Sequence, residues 1–112
     1  MQADGAIRRL SAMTTGGALF DQKQASRDRR ALIRTTRAIP GLFRRPGTGA
    51  PSRASFGIWH RWDEFRARAK QATRAARQLD PQSRATLQQG LPDLVRACLE
   101  CHDQFRLKGH FR

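Results

Sequence analysis

The stretch Cys98-Leu99-Glu100-Cys101-His102, close to the C-terminus, decides how the rest of this chain is interpreted. Cys-x-x-Cys-His is the pattern that attaches a c-type haem, because two thiols add to the porphyrin vinyl groups and the imidazole binds the iron. Residues three and four apart share one helix face, so both cysteines and the histidine can address one haem edge. The motif therefore predicts one covalently bound haem c, with His102 as the metal ligand.

Other uses of a cysteine pair fit this sequence less well. Structural zinc takes four ligands, and the remaining histidines, His60 and His110, do not form a second ligand pair. A thioredoxin-like redox pair requires a strand before its helix, whereas the surrounding sequence has a helical pattern. A disulfide between cysteines three apart on one helix has poor geometry. Haem attachment is therefore the favoured interpretation.

The position of the motif restricts how the iron can be ligated. The segment after His102 is too short to wrap round a haem and supply a second axial ligand. Any residue on the opposite haem face must therefore come from upstream. Neither His60 nor His110 is well placed to reach that face.

Length and hydropathy indicate one small domain. The chain has 112 residues, which is enough for one modest hydrophobic core, and it shows no internal repeat. We therefore expect a single domain over residues 1–112. Residues 1–20 contain no apolar run long enough for a signal peptide or a membrane span, so neither is expected in this sequence.

The net charge of +13 at pH 7 is the second unusual feature. Clustered arginines neutralise phosphates and release counterions, so a basic nucleic-acid-binding helical protein is an alternative. The arginines here are instead spread over every candidate helix, mostly on its polar side. We therefore favour a solvated basic surface, which would still attract acidic partner proteins or anionic lipid.

Two long helices are predicted in the second half of the chain. Over residues 58–79, apolar side chains recur at three-four spacing and form one helical stripe; they are Trp59, Trp62, Phe65, Ala69, Ala72, Ala76 and Leu79. Asp80 and Pro81 suit a helix start, so the last helix should run from Pro81 to Phe105, with Pro92 kinking or interrupting it. Its expected inward residues are Leu87, Leu91, Leu94, Val95, Cys98, Cys101, His102 and Phe105.

The first half predicts two further helices. The first is amphipathic and is ended early by Gly16 and Gly17; its inward residues are Ile7, Leu10, Met13 and Gly17. Asp21 can cap a second helix running to Ile39, with Leu32, Ile33, Thr36 and Ile39 facing inward. Prolines and glycines then predict a linker over residues 40–55. The expected fold is all-α: a four-helix up-down bundle with a shortened first helix and covalent haem near the C-terminus.

Four segments of the chain together resemble one known family. They are Arg9-Leu10-Ser11-Ala12-Met13 with Gly16-Gly17, Ile39-Pro40-Gly41-Leu42-Phe43 with Pro46-Gly47-Thr48, Ile58-Trp59 through Trp62-Asp63 to Phe65, and Cys98-Leu99-Glu100-Cys101-His102-Asp103-Gln104-Phe105-Arg106. In this order they resemble the cytochrome c′ family, the class II c-type cytochromes, whose haem lies near the end of a four-helix bundle. Four ordered matches are far more specific than the haem motif alone.

The resemblance implies a role for each candidate site residue. Cys98 and Cys101 form the thioether links, and His102 is the proximal iron ligand. On the first helix, Arg9 and Leu10 lie against the haem, and Met13 takes the distal position. We expect a five-coordinate iron with Met13 as a steric lid; the alternative for Met13 is plain core packing, because methionine fills irregular gaps.

The resemblance also implies a periplasmic homodimer that carries electrons or binds NO or CO. Catalysis has little support, because the chain has no tyrosine, only two glutamates, Glu64 and Glu100, and no nucleophile–base set. Two alternatives stay open: the basic nucleic-acid-binding protein, and a truncated cytochrome relative that no longer folds or loads haem.

Overall fold

The computed structural model describes residues 2–43 and 57–105, which are helical apart from short turns. Its helices are α1 (Gln2–Thr15), α2 (Gln22–Leu42), the one-turn α3 (Gly57–His60), α4 (Trp62–Gln78) and α5 (Arg84–Phe105). The four long helices pack in a ring, in which α1 contacts α2, α2 contacts α4, α4 contacts α5, and α5 contacts α1. The prediction of an all-α four-helix bundle is confirmed.

The first helix is short, as predicted. It has 14 residues, against 21 in α2 and 22 in α5. Gly16 follows it with a φ of 88°, a left-handed conformation that glycine adopts without a Cβ clash and that ends helices. The short turn that follows returns the chain along α1, so α1 and α2 are antiparallel neighbours.

The predicted start of α2 is confirmed, but its predicted end is wrong. Asp21 caps the helix by accepting a hydrogen bond from the Gln24 backbone N–H at 3.1 Å. The helix then continues through Pro40 to Leu42. Pro40 removes one helical hydrogen bond and crowds the carbonyl four residues earlier, but only the last two residues of α2 follow it. The Phe43 N–H donates to the Pro40 carbonyl at 3.2 Å and closes the helix. The first residues of the predicted linker are therefore helical, and residues 44–56 lie outside the described part.

The single helix predicted over residues 58–79 is divided in two at Arg61. This residue has φ −119° and ψ 46°, and its carbonyl accepts the first helical bond of α4 from Phe65 at 2.9 Å. Asp63 and Glu64 follow in the first turn, where carboxylates stabilise the positive end of the helix dipole. A new helix start at this point is therefore favourable. The end at Leu79 is as predicted.

The last helix begins at Arg84 rather than at the predicted Pro81. Ser83 and Thr86 form a capping box, in which each side-chain hydroxyl accepts from the other's backbone N–H at 3.1 Å. The Asp80 carboxylate instead accepts from the Gln82 N–H at 3.0 Å and stabilises the turn. The reciprocal pair satisfies two backbone groups, which explains why the start lies at Ser83.

Pro92 does not interrupt α5, which is continuous from Arg84 to Phe105. The proline is exposed, so the helical carbonyl that loses its partner can bond to water instead. The helix therefore carries the interior stripe from Leu87 to the haem motif without a break.

The buried side chains form two groups. The core cluster joins all four long helices; its buried members are Ala6, Leu10, Met13, Ala25, Leu32, Ala76, Leu79, Leu87, Leu91 and Leu94. The aromatic cluster lies at the end of the bundle that holds the haem motif; its members are Ile58, Phe65, Cys101 and Phe105, with Ile39, Phe43, Trp59 and Trp62 packed against them. Within the described residues, no helix is both long and apolar enough to cross a bilayer.

Candidate functional site

The three residues of the motif lie together on the last turns of α5. At about 100° per residue, their side chains fall within an arc of about 100°. Cys98 is half-buried against the core cluster, and Cys101 is 8 % exposed within the aromatic cluster. Both are free thiols. The helix therefore directs one thiol to each group of apolar side chains.

His102 is exposed, so its predicted inward position is wrong. In the angular order around α5, His102 and Cys101 lie at opposite edges of the arc, with Cys98 between them. The buried residues of this part of α5, Leu94, Ala97, Cys101 and Phe105, all lie on the Cys101 side of Cys98. The His102 side chain, on the other side, meets solvent. The imidazole nevertheless lies next to Cys101 along the chain and one helical turn from Cys98, on the exposed side of the motif.

Cys101 shares its cluster with several aromatic rings. Phe65 lies at the centre of the cluster, with ring centroids 5.2 Å from Phe105 and 5.5 Å from Phe43, both in edge-to-face geometry. Trp62 stacks on Phe65 at 5.6 Å. Such pairs contribute beyond the area they bury. The cluster therefore fixes the end of α5 against α3 and α4 and gives Cys101 an apolar environment.

Burial raises the pKa of both thiols. The pKa of Cys101 rises to about 11, chiefly because burial disfavours the thiolate and secondarily because Cys98 is close, while Arg68 acts in the opposite direction. Burial also raises the pKa of Cys98, with an added effect of the Asp4 carboxylate. At neutral pH both side chains are therefore protonated in the haem-free chain, and protonated thiols are poor nucleophiles.

Alkylation should reveal this shift. In the folded, haem-free Cys98→Ala variant, the rate at which iodoacetamide modifies Cys101 should keep rising about tenfold per pH unit past pH ~9, since only the thiolate reacts and its pKa is high. In urea the rate should level off near pH ~9, because an exposed cysteine has a pKa of about 8.5. Mass spectrometry of timed aliquots measures both rates. A rate that levels off near pH ~9 in the folded protein as well as in urea would contradict the raised pKa of Cys101.

Leu10 and Met13 lie in the core cluster, together with the part of α5 that precedes the motif. Both are buried, and Cys98 packs against the same cluster. The sulfur of Met13 accepts a hydrogen bond from the Asp21 backbone N–H at 3.4 Å. This contact directs the thioether towards the turn between α1 and α2.

Two side-chain hydrogen bonds join the end of α1 to the start of α5. Arg84 Nε donates to the Met13 carbonyl at 2.9 Å, and Gln88 Nε2 donates to the Thr14 carbonyl at 2.8 Å. At 1.5 Å per residue, Gln88 lies about 15 Å before Cys98 along α5. Leu10 and Met13 therefore bound the interior between the motif and the start of α5, in the cluster against which Cys98 also packs.

Arg9 points towards α2. Its guanidinium donates to both carboxylate oxygens of Asp28, with Nη2 and Oδ1 2.8 Å apart, and Gln24 Nε2 donates to the same carboxylate at 3.0 Å. Asp28 is 2 % exposed, whereas the Arg9 side chain is half-exposed. A bidentate pair of this kind fixes the orientation of α1 on α2.

Asp28 is a residue that the sequence reasoning missed. It lies on the buried stripe of α2 with Ala25, Leu32 and Thr36, so a carboxylate at an inward position of the three-four pattern was the available signal. The ion pair between Arg68 and Glu100, 3.2 Å apart, was also missed. It joins α4 to the residue beside Cys101 and had no signal in the sequence, because the partners are distant in the chain.

The donor set fits the group that the motif predicts. Two reduced thiols on one helix face, each against apolar side chains, suit thioether attachment of a flat apolar ring, and the adjacent imidazole suits iron. A four-helix bundle with this set at the end of its last helix is a c-type haem protein.

Comparison with known proteins identifies the family. Residues 1–106 match the family model described as cytochrome c′. A cytochrome c′ from Rhodopseudomonas palustris (strain ATCC BAA-98 / CGA009) is 30% identical over 111 residues, which cover 96% of this chain and 75% of the relative. The chain belongs to the cytochrome c′ family.

Solved structures of the family share the fold. A cytochrome c′ from Rhodopseudomonas palustris superposes with a TM-score of 0.84 at 27% identity, covering 96% of this chain and 89% of that chain. A cytochrome c′ from Rubrivivax gelatinosus gives a TM-score of 0.81 at 26% identity, covering 94% and 86%. The bundle described above is therefore the family's fold.

Proposed function

We propose that this chain is a periplasmic cytochrome that carries one haem c and acts in electron transfer, in binding NO or CO, or in both. Cys98 and Cys101 would hold the haem through thioethers, and His102 would ligate the iron. The observation that carries the proposal is the placement of two free, inward thiols and the exposed His102 imidazole on one face of α5. The periplasmic location is proposed from the family.

The surroundings of the thiols support a redox role. When bound, haem c supplies an iron that alternates between ferrous and ferric states and accepts diatomic ligands. The aromatic cluster around Cys101 and the core cluster beside Cys98 exclude water from the attachment side. Such an apolar shell controls solvent access to a metal site and the reduction potential of the metal.

We further propose that Met13 shields the open side of the iron without binding it. Its sulfur accepts the Asp21 N–H, which directs the thioether towards the turn between α1 and α2. Leu10 would be the neighbouring apolar wall. Arg9 would act as a positioning residue, because its pair with Asp28 holds α1, and so Leu10 and Met13, in place.

Truncating Met13 should show whether this residue shields the iron or binds it. In a Met13→Ala variant matured in a haem-attaching host, we expect the ferric spectrum to stay high-spin and CO association to speed up about tenfold, a barrier change of about 1.4 kcal/mol. Stopped-flow absorbance gives the rate. Leu19→Ala, at a highly exposed position, serves as the control and should leave the rate unchanged. Sharp low-spin ferrous bands that the Met13 substitution converts to high-spin would show that Met13 is a ligand instead.

The partners proposed for this chain follow from its charge and family. With a net charge of +13, it should associate fastest with redox proteins that present acidic surfaces, since long-range attraction raises encounter rates. Pairing of two copies through α1 and α2 is proposed from the family, and the short α1 limits the area available for it.

A further inference from the structure

A basic groove separates α2 from α4. Its volume is about 460 Å³, and the ionisable residues that line it are Arg37, Asp63, Arg66, Lys70, Arg74 and Arg77. The α4 cations follow one another at spacings of four, four and three residues, so they lie in one row along the helix. The groove therefore holds five positive charges and one negative charge.

The floor of the groove is closed and polar. Thr73 Oγ1 donates to Thr36 Oγ1 at 2.8 Å, and Thr36 Oγ1 donates to the Leu32 carbonyl at 2.8 Å. Both threonines are buried, and their small side chains leave room above them for a ligand. Because their hydroxyls are already paired, recognition in the groove rests on the cations at its rim.

In the described part of the chain, no cation of the groove forms an ion pair. Among the described residues, the ion pairs join Arg9 to Asp28, Arg61 to Glu64, Arg68 to Glu100 and Arg96 to Asp93, so none involves a cation of the groove. Like charges four residues apart on a helix repel each other. The row from Arg66 to Arg77 therefore costs the free protein stability that a bound anion would restore.

We propose that this groove binds a small polyanion of the phosphate class, for which inorganic triphosphate is the probe. Guanidinium groups match phosphate oxygens in bidentate geometry, and the groove volume lies within the range of about 300–1,000 Å³ typical of small-ligand sites. A second basic groove on α2, lined by Arg30, Arg34 and the shared Arg37, extends the positive surface. The α2–α4 groove lies between helices that do not carry the haem motif, so the site is independent of the proposed haem chemistry.

Calorimetric titration of the full chain, matured in a haem-attaching host, tests the proposal. At low salt, inorganic triphosphate should bind saturably with one site per chain. Arg66→Gln with Arg74→Gln should weaken that binding about tenfold, equivalent to ~1.4 kcal/mol, without lowering the melting temperature, because it removes repelling charges. The matched control is Arg8→Gln with Lys23→Gln, which removes the same charge at exposed positions outside the groove and should leave affinity nearly unchanged.

A variant with Arg66→Lys and Arg74→Lys keeps the charge but loses the planar guanidinium groups, so an affinity between those of the wild type and the glutamine variant would support specific recognition. This lysine variant also replaces the glutamine variant in the test if the latter fails to fold. Absence of saturable binding, or equal weakening in both glutamine variants, overturns the proposal. So does preferential binding of duplex DNA or phosphatidylglycerol vesicles that triphosphate cannot displace, because the groove would then serve a macromolecular surface.

Discussion

Replacing Cys98 and Cys101 together with alanine should abolish covalent haem. Protein produced in a haem-attaching host should show, by intact-mass spectrometry after acid extraction, the polypeptide plus one haem for the wild type and the polypeptide alone for the double variant. The physical reason is that thioether bonds are formed only by these two thiols, which are the only cysteines of the chain. Non-covalent haem is removed by acid extraction, so the measurement isolates the covalent link.

A control on the same helix makes the result specific. Leu99, between the two cysteines, is 61 % exposed, and Leu99→Ala should retain full attachment. Covalent haem in the double cysteine variant would contradict the assignment of Cys98 and Cys101 as the attachment residues. Loss in the Leu99 variant as well would point to a general failure of α5 to fold.

Phe105→Ala should cause the largest loss of stability. Phe105 is 1 % exposed, packs edge-to-face on Phe65, and has the Arg61 guanidinium 4.9 Å from its ring centroid. Truncating a buried phenylalanine costs about 3 to 5 kcal/mol, a large fraction of the about 5–15 kcal/mol that stabilises a typical domain. Denaturant titration followed by circular dichroism measures the change. Because Cys101 belongs to the same cluster, the yield of covalent haem should fall as well.

The exposed Leu99→Ala variant again provides the comparison, with a change within about 0.5 kcal/mol. A loss below about 1 kcal/mol in the Phe105 variant would mean that the aromatic cluster does not hold the end of α5. Normal haem yield despite a large loss of stability would separate folding of this end from attachment.

The four long helices and several of their ends were predictable because their signals are local. The Asp21 cap and the glycine stop after α1 each depend on neighbouring backbone groups, which the sequence shows directly. The start of α5 was misplaced because two local signals compete there. Asp80-Pro81 and Ser83 both suit a helix start, and the reciprocal bonds between Ser83 and Thr86 favour the later one.

The candidate site was predictable only in part. The spacing of Cys98, Cys101 and His102 implies one face of one helix, which the structure shows, but not that His102 lies at its exposed edge. Arg9 was recognised by resemblance, but its partner Asp28 was not. The two residues are 19 positions apart and lie on different helices. The pairing of side chains on different helices depends on how the helices are rotated about their axes, which periodicity alone leaves undefined.

By itself, the sequence determined the all-helical class, the short first helix and the haem motif near the end of the chain, since each depends on contacts within a few residues. Only the tertiary structure decided that Cys98 faces the core cluster and Cys101 the aromatic cluster, that Met13 lies beside the start of α5, and that a row of cations borders a groove on α4. These features join residues far apart in the chain. Their geometry is set by how the helices pack, because burial of apolar surface is non-directional and the polar contacts between helices then select the arrangement.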